Sequence, residues 1–288
     1  MTLDQYQKLA TKFDQRKNKD NYDGFIPLLG LIGEIGSVAA EFKKKTRDGI
    51  SYITFSTKFK EELGDVLWYV AMLSKDANFS LDEVAKANLQ KIEERWAKAT
   101  DFKELDLYDN NYDANERLPR ELTIEFREVI SEKRIGLFFN DTPLGNTLTD
   151  NAHIDDGYRF HDSFHLAYMA ILGWSPVMRK LLNRKRKSSP QIDEVEDGAR
   201  AMIIEEAISA FAYEYSKSHN FFEGIEKLDY EFLKTIKNMV MNFEVKSMPS
   251  SLWEKAVLDG YEVFRQLKDN GGGKVYLNLE KRTIKFLC

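Results

Sequence analysis

Apolar residues recur every three or four positions along four stretches of the first hundred residues, which is the spacing of amphipathic helices. Thr2 followed by Gln5 suits a capping box at the start of the first stretch, and Ser80 with Glu83 suits one at the start of the fourth. Four helices in so short a segment predict a helical bundle. The helices are expected at residues 2–15, 26–45, 55–76 and 80–96.

The helical pattern is lost between residues 101 and 150. In this stretch the segments LTIEFREV and RIGLFF have the branched and aromatic content of short strands. We expect a linker with a short strand pair, which separates a bundle domain at 1–100 from a second domain at 151–288.

Helical spacing resumes in the second domain at residues 157–172 and stops at Gly173. Ser175-Pro176 and Ser189-Pro190 each supply an N-cap and a first-turn proline, and the second of these helices is expected to run to about Lys217. The terminal GGGKVYLNLEKRTIKFL predicts a flexible link followed by a β-hairpin. The chain is therefore predicted to be mainly α, with a mostly helical second domain.

Composition and charge limit the functions that fit. With 288 residues, of which 43% are hydrophobic and 31% charged, the chain suits two globular domains. A formal net charge of -5 gives no general attraction to nucleic acid or to anionic membranes. The single cysteine, Cys288, favours a reducing compartment. The polar start, and the lack of any apolar run near ~18 residues, predict neither a signal peptide nor a membrane span, so we expect a cytoplasmic protein.

Acidic residues on the second and third predicted helices form the candidate chemical site. Glu34 and Glu41 are seven residues apart, two helical turns, so both project from one otherwise apolar face. Glu62 and Asp65 are one turn apart, beside residues that must point into the bundle. Four such carboxylates would repel one another without a cation. Because oxygen ligands select a hard ion, we expect Mg²⁺, or Mn²⁺ in its place.

A surface role is the alternative for these four carboxylates. Most helical carboxylates form exposed ion pairs with neighbouring basic residues, and spacing alone does not exclude that role here. The available partners on the same helices are Lys43, Lys44, Lys45, Lys58 and Lys60.

Three blocks in order, GLIGEIGSVAAEFKKKTRDG, KEELGDVLWYVAML and NLQKIEERW, resemble the MazG-like all-alpha nucleoside triphosphate pyrophosphohydrolases, which include dimeric dUTPases. The resemblance covers residues 1–96. In that family the first motif has two glutamates three residues apart, whereas this chain has Glu34 and Ser37. Serine is a poor magnesium ligand, so the missing carboxylate is expected from Glu41, one turn further on.

The resemblance implies hydrolysis of a nucleoside triphosphate between its α and β phosphates, to the monophosphate and pyrophosphate, in a house-cleaning or defence role. Glu62 or Glu61 is the expected general base, and the two are not separable from sequence. The resemblance also implies a row of phosphate-binding side chains on the fourth helix; the alternative for this row is a solvated face. The row is Asn88, Lys91 and Arg95.

Two further groups in the first domain have open roles. Lys44 belongs to a basic run, with Lys45 and Arg47, at the end of the second helix; it is a candidate phosphate contact, although cations are also favoured there by the helix dipole. Trp68 and Tyr69 could stack on a base, but aromatic residues in a bundle are more often core.

The second domain resembles the C-terminal domain that is fused to MazG-like domains in some bacterial and phage proteins. It partly mirrors the first domain, with Asp162 and His165 spaced as Glu34 and Ser37 are, and Glu205-Glu206 resembling Glu61-Glu62. A second, altered site at Asp162, His165 and Glu206 is therefore considered. It would be weakened, because Met169 and Ser209 stand where Glu41 and Asp65 are in the first domain.

His161, Asp162 and His165 could bind a transition metal, because histidines four apart share a helical face. An HD-type metallophosphohydrolase is one form of this hypothesis. The alternative is that the histidines are partly buried and hydrogen-bonded to Asp155 or Asp156.

A basic run at residues 179–187 could bind phosphate or nucleic acid, or could pair with the acidic residues that follow at 193–197. The sequence therefore leaves three functions to compare: a nucleotide pyrophosphohydrolase, a nucleotide sensor with little turnover, and a nucleic-acid-binding protein, which the net charge disfavours. The expected partners are a nucleoside triphosphate and further copies of the chain in a homodimer or higher oligomer, because short bundles usually complete their core that way.

Overall fold

The computed structural model describes residues 1–16, 25–96, 105–129 and 134–287, without the side chains of 94–96. The chain divides into two compact units, Met1–Glu93 and Glu94–Cys288. The predicted mainly α fold is confirmed.

The first unit contains the four predicted helices. They are α1 Leu3–Ala10, α2 Phe25–Asp48, α3 Phe55–Asp76 and α4 Leu81–Trp96. The capping box at Thr2 and Gln5 is present, with both reciprocal hydrogen bonds. Helix α1 is shorter than predicted and continues only as a 3₁₀ turn, Thr11–Phe13, because the backbone of Asp14 is extended. This bend lets Arg16 reach across the unit to Asp76 of α3.

Helices α2 and α3 form the main packed pair of the first unit. Gly30 permits their close approach, because a Cβ at this position would lie 2.2 Å from the Tyr69 ring. Helix α1 packs on α3, where Trp68 Nε1 donates to the carbonyl oxygen of Ala10 at 3.3 Å. Helix α4 is tied to α1 through Gln7, whose side chain accepts from the backbone N–H of Leu81.

One helical segment in the described part of the chain, Phe25–Ser51, is long and apolar enough to cross a membrane by length and composition alone, with a mean hydropathy of 1.5. The expectation of no such segment was wrong on this criterion, since it considered only uninterrupted apolar runs. The finding is weak support for a span, because helices of soluble proteins pass the same test. Glu34 and Glu41 would also have to enter the hydrocarbon.

The second unit combines short helices, two long helices and a five-stranded antiparallel sheet. The strands are β1 Glu121–Val129, β2 Arg134–Phe139, β3 Thr142–Leu148, β4 Gly273–Asn278 and β5 Thr283–Leu287. Their order in the sheet is β3-β2-β1-β4-β5. The predicted C-terminal hairpin is confirmed as β4 and β5, and β1 pairs with β4, with Ile124 opposite Val275. The helices are α5 Asp162–Ala167, α6 Pro176–Leu181, α7 Pro190–Val195, α8 Ala199–Lys217, α9 Tyr230–Met239 and α10 Ser250–Asn270.

The core of the second unit lies where α10 packs against α5 and the turn that follows it. Residues 157–172, predicted as one helix, instead form a 3₁₀ turn at Tyr158–Phe160, then α5, then a π-helical turn at Tyr168–Leu172. Gly173 ends the turn in the left-handed region, with φ 68°, as expected of a helix stop.

The helix predicted from Ser189 to Lys217 is broken into α7 and α8. At the break, Asp197 is fully buried and accepts hydrogen bonds from the backbone N–H and the guanidinium of Arg186. Gly198 has no room for a side chain, because a Cβ would lie 1.9 Å from the Glu194 carbonyl oxygen. Helix α7 therefore ends at Val195, before the buried Asp197, and α8 begins at Ala199.

Candidate active site

Three of the predicted acidic ligands meet between α2 and α3. One carboxylate oxygen each of Glu34, Glu62 and Asp65 lies within 4.8 Å of the other two. We call these three residues the carboxylate cluster. Glu34 and Glu62 are half-buried and Asp65 is exposed, so the cluster opens to solvent on one side.

Two of the predicted lysine partners form their close ion pairs with other carboxylates. Lys44 Nζ lies 2.5 Å from an oxygen of Glu41, and Lys58 Nζ lies 2.8 Å from an oxygen of Glu61. Among the residues that the structure describes, none forms a hydrogen bond or a close ion pair with the three clustered carboxylates. Three carboxylates this close together could share a cation, whose charge would offset their mutual repulsion.

Glu41 lies outside the carboxylate cluster. Its side chain is buried, and its two oxygens accept hydrogen bonds from the Lys44 ammonium and the Tyr52 hydroxyl. The hydrogen bond from Lys44, followed by that from Tyr52, lowers the pKa of Glu41. To act as a ligand, Glu41 would have to release both partners. Its role as the substitute for the motif glutamate at Ser37 stays a prediction.

The two candidate general bases are separated by the turn of α3. Glu62 is half-buried in the carboxylate cluster, whereas Glu61 is exposed and paired with Lys58. Adjacent residues on a helix point about 100° apart, so the two carboxylates cannot face the same side.

A pocket of about 460 Å³ lies in the first unit, and none of the three cluster residues lines it. Trp68 and Tyr69 line it and follow Asp65 by three and four residues, so the part of the pocket wall on α3 begins one helical turn beyond Asp65. Both aromatic residues are half-buried and pack edge to face, with ring centroids 4.8 Å apart. The remaining lining residues are Phe13, Asp14, Gln15, Arg16, Ile26, Pro27 and Met72.

The polar wall of this pocket was missed by the sequence analysis. Arg16 forms hydrogen bonds with both oxygens of Asp14 and both oxygens of Asp76. The hydrogen bonds from Arg16 lower the pKa of Asp14 to about 2. No local spacing signals this wall, since Arg16 and Asp76 are 60 residues apart.

The predicted phosphate-binding residues lie on α4 and at Lys44 of α2. Asn88 and Lys91 are exposed on α4. Arg95 lies on the last turn of α4, and its side chain lies outside the described residues. Lys44 is held by Glu41.

The basic run at 179–187 is internal at two of its six cations. Arg179 and Arg186 are each 1% exposed and pair with buried acids, Arg179 with Asp109 at 2.9 Å and Arg186 with Asp197 at 2.6 Å. Lys185 pairs with Asp193 at 2.9 Å. The acidic residues that follow the run therefore pair with it, and two of its six cations are not available to nucleic acid.

In the second unit His165 and Glu206 come together, but the third member of their group is His161 and not Asp162. We call His161, His165 and Glu206 the histidine cluster. His165 bonds to Glu205, and not to Asp155 or Asp156, through Nδ1 at 2.8 Å.

Comparison with known proteins agrees with this division into two parts. The family model of the MazG nucleotide pyrophosphohydrolase domain matches residues 27–99, which include the whole carboxylate cluster, and that of the MazG C-terminal domain matches residues 103–288. The chain belongs to the MazG family. The C-terminal match begins before β1, so the MazG C-terminal domain includes all five strands described above.

One curated protein is similar to part of this chain. The Gene 37 protein of Mycobacterium phage L5 is 41% identical to this chain over 69 residues, which are 23% of the chain and 60% of the relative. The chain thus spans less than two thirds of that relative's length. No solved structure matches the chain.

Proposed function

We propose that this chain is a Mg²⁺-dependent nucleoside triphosphate pyrophosphohydrolase, which converts a (d)NTP and water into the monophosphate and pyrophosphate. The observation that carries the proposal is the carboxylate cluster, which lies inside the part of the chain matched by the MazG nucleotide pyrophosphohydrolase domain.

The carboxylate cluster fits magnesium by its donor chemistry. Its three ligands are all oxygens, are unpaired with the described basic residues and are open to solvent on one side, as a hard ion that keeps several waters requires. Mn²⁺ shares this preference for oxygen and is the expected substitute. When bound, the ion would neutralise charge on phosphate oxygens and make a nearby water more acidic.

Glu62 is the proposed general base. As the half-buried carboxylate of α3 in the cluster, it can accept the proton of the water that attacks phosphorus while pyrophosphate leaves. Glu61 is the poorer candidate, because Lys58 occupies its carboxylate. Lys44 donates a hydrogen bond to Glu41 on α2, and we propose that this pair has a structural role next to the site.

The pocket at Trp68 and Tyr69 is the proposed site for the nucleobase and sugar. Its volume suits a nucleoside, and Trp68 and Tyr69 offer faces for stacking. The phosphates would then extend toward the carboxylate cluster, whose Asp65 is one helical turn away on α3. Asn88, Lys91 and Arg95 stay the proposed phosphate contacts, on the family resemblance of their row.

The chain is further proposed to act as a homodimer in the cytoplasm. Helix α2 leaves large apolar side chains exposed, including Leu29 at 65% and Ile32 at 58%, and a second copy would remove them from water. Its single cysteine fits a reducing compartment. Sedimentation analysis tests the assembly; a monomer at micromolar concentration would contradict it.

The test of the activity is a panel of common, deoxy and damaged nucleoside triphosphates with Mg²⁺, run on the wild type and on three variants. Glu62→Gln should lower kcat by about 10²–10⁴-fold, the range that general bases contribute. Glu61→Gln separates the two candidate bases, and Glu231→Gln, an exposed glutamate on α9, is the matched control. Full activity in Glu62→Gln would refute the site.

A nucleotide sensor is the second candidate function. It is favoured by Ser37, which replaces a family glutamate, and by Glu41, whose oxygens are engaged elsewhere. Tight binding of a nucleotide by the wild type, with no turnover across the panel, would select this function over hydrolysis.

A further inference from the structure

The second unit holds a cluster of metal-ligating side chains that the proposed hydrolysis does not use. His161 is the residue before α5, His165 lies within α5, and Glu206 lies on α8. Glu206 Oε2 is 3.3 Å from His165 Nε2 and 3.9 Å from His161 Nε2. All three ligand atoms lie within 4.8 Å of one another.

Both histidines are held with Nε2 toward this common point. The Nδ1 atom of His161 lies 2.8 Å from the backbone carbonyl oxygen of Tyr158, which can only accept, so Nδ1 carries the proton. The Tyr158 ring also stacks on His161, with centroids 4.3 Å apart. In the neutral imidazole the lone pair is then on Nε2, the atom that faces Glu206.

His165 is fixed by a buried carboxylate. Its Nδ1 atom lies 2.8 Å from Glu205, which also accepts from the Ser175 hydroxyl and the Val177 N–H. Glu205 is fully buried and engaged as an acceptor, so it holds His165 as the outer partners of metal-ligating histidines do.

The Nε2 atom of His165 is buried and has no hydrogen-bond partner. Glu206 Oε2 lies 3.3 Å away, within ion-pair range of a protonated His165. A fully buried ring nitrogen without a partner is rare in folded proteins. A cation between His165 and Glu206 would satisfy it.

We propose that His161, His165 and Glu206 bind a divalent transition-metal ion of the zinc type. Two imidazole nitrogens and one carboxylate oxygen are the ligands of open zinc sites, whereas magnesium prefers oxygen alone. Ligands of a tetrahedral zinc ion stand about 3.3 Å apart at its usual bond lengths, so the observed separations need only small adjustment. This site is distinct from the carboxylate cluster, which lies in the other unit.

The site is built to leave one side open. Glu206 has a side chain that is 48% exposed, whereas His165 is fully buried, so an ion bound here would meet the protein on one side and solvent on the other. The π-helical turn that follows α5 is a local irregularity that often accompanies functional sites. An ion with three protein ligands and one open position can bind a water or a further ligand.

The test uses the full chain with Glu62→Gln as background, so that binding at the carboxylate cluster is weakened in every sample. The protein is stripped with a chelator, and Zn²⁺ binding is measured by calorimetry in the presence of excess Mg²⁺, with the metal content after dialysis measured by mass spectrometry. We expect one Zn²⁺ per chain in the background protein.

Adding Glu206→Gln, or separately His161→Gln, should weaken Zn²⁺ binding by more than the 10–100-fold that loss of an outer partner costs. Adding His219→Gln, a histidine outside the histidine cluster, should leave binding unchanged. Glu206 is half exposed, so its variant is expected to fold, and circular dichroism checks this. No Zn²⁺ binding in the background protein, equal binding in the cluster variants, or displacement by Mg²⁺ would each overturn the proposal. In the first two cases His165 Nε2 would instead be explained by protonation beside Glu206.

Discussion

Replacing Arg186 by methionine should destabilise the second unit strongly. Its guanidinium lies in the interior and forms hydrogen bonds with both oxygens of Asp197 and both oxygens of Glu244. Burial alone would lower the pKa of Arg186, but the hydrogen bonds that it donates to these two carboxylates raise its pKa above the usual value. The side chain is therefore charged at every pH where the protein folds.

Methionine keeps much of the volume of arginine but leaves Asp197 as a fully buried carboxylate, 3.6 Å from the Nε atom of Arg179. Removing one member of a buried ion pair costs about 3–5 kcal/mol, because the remaining charge stays desolvated. The control is Lys234→Met. Lys234 is 51% exposed and pairs with Glu231 at 3.3 Å, so its loss should cost only about 0–1 kcal/mol.

Thermal unfolding, followed by the fluorescence of the buried Trp174 and Trp253, measures both variants against the wild type. For a unit of this size we expect Arg186→Met to lower Tm by about 6–20 °C and Lys234→Met by no more than about 4 °C. The reasoning is refuted if the two variants unfold together. Loss of salt-dependent nucleic-acid binding in a stable Arg186→Met protein would instead support a nucleic-acid surface at 179–187.

Two further predictions concern the first unit. Gly36→Ala, on an open face of α2, should stabilise the first unit by about 1 kcal/mol. Gly30→Ala should destabilise the unit and raise KM, because the new Cβ meets the Tyr69 ring. Equal effects of the two substitutions in urea unfolding would contradict this. Asp14 has a pKa of about 2 in the fold against a usual 3.8, so its contribution to stability is complete above pH 4 and lost as the pH falls toward 2. Urea unfolding should therefore show a steeper acid loss in the wild type than in Asp14→Asn.

Sequence patterns predicted the features that depend on residues close together in the sequence, such as helix bounds and caps. Helix α3 has the bounds expected from its spacing, and Ser175 caps α6 as its sequence indicates. Glu34, Glu62 and Asp65 are brought together because each faces the seam between two adjacent helices, which periodicity specifies.

Contacts between residues far apart in the sequence determine the features that residue spacing did not predict. Glu41 shares the helical face of Glu34, yet a lysine one turn away and Tyr52 beyond the helix engage its carboxylate. Strand β1 pairs with β4, about 150 residues later, and no local signal marks that pairing. Arg186 looked like part of a basic surface because its partners, Asp197 and Glu244, are brought to it only by the fold.

The central claim is that the chain cleaves nucleoside triphosphates between the α and β phosphates at the carboxylate cluster. The most direct measurement is phosphorus NMR of the products that the wild-type protein forms from a turned-over nucleotide with Mg²⁺. Our account predicts nucleoside monophosphate and pyrophosphate as the initial products, and neither of them from Glu62→Gln at the same protein concentration. Nucleoside diphosphate and orthophosphate would contradict it, since they require cleavage at the other anhydride bond.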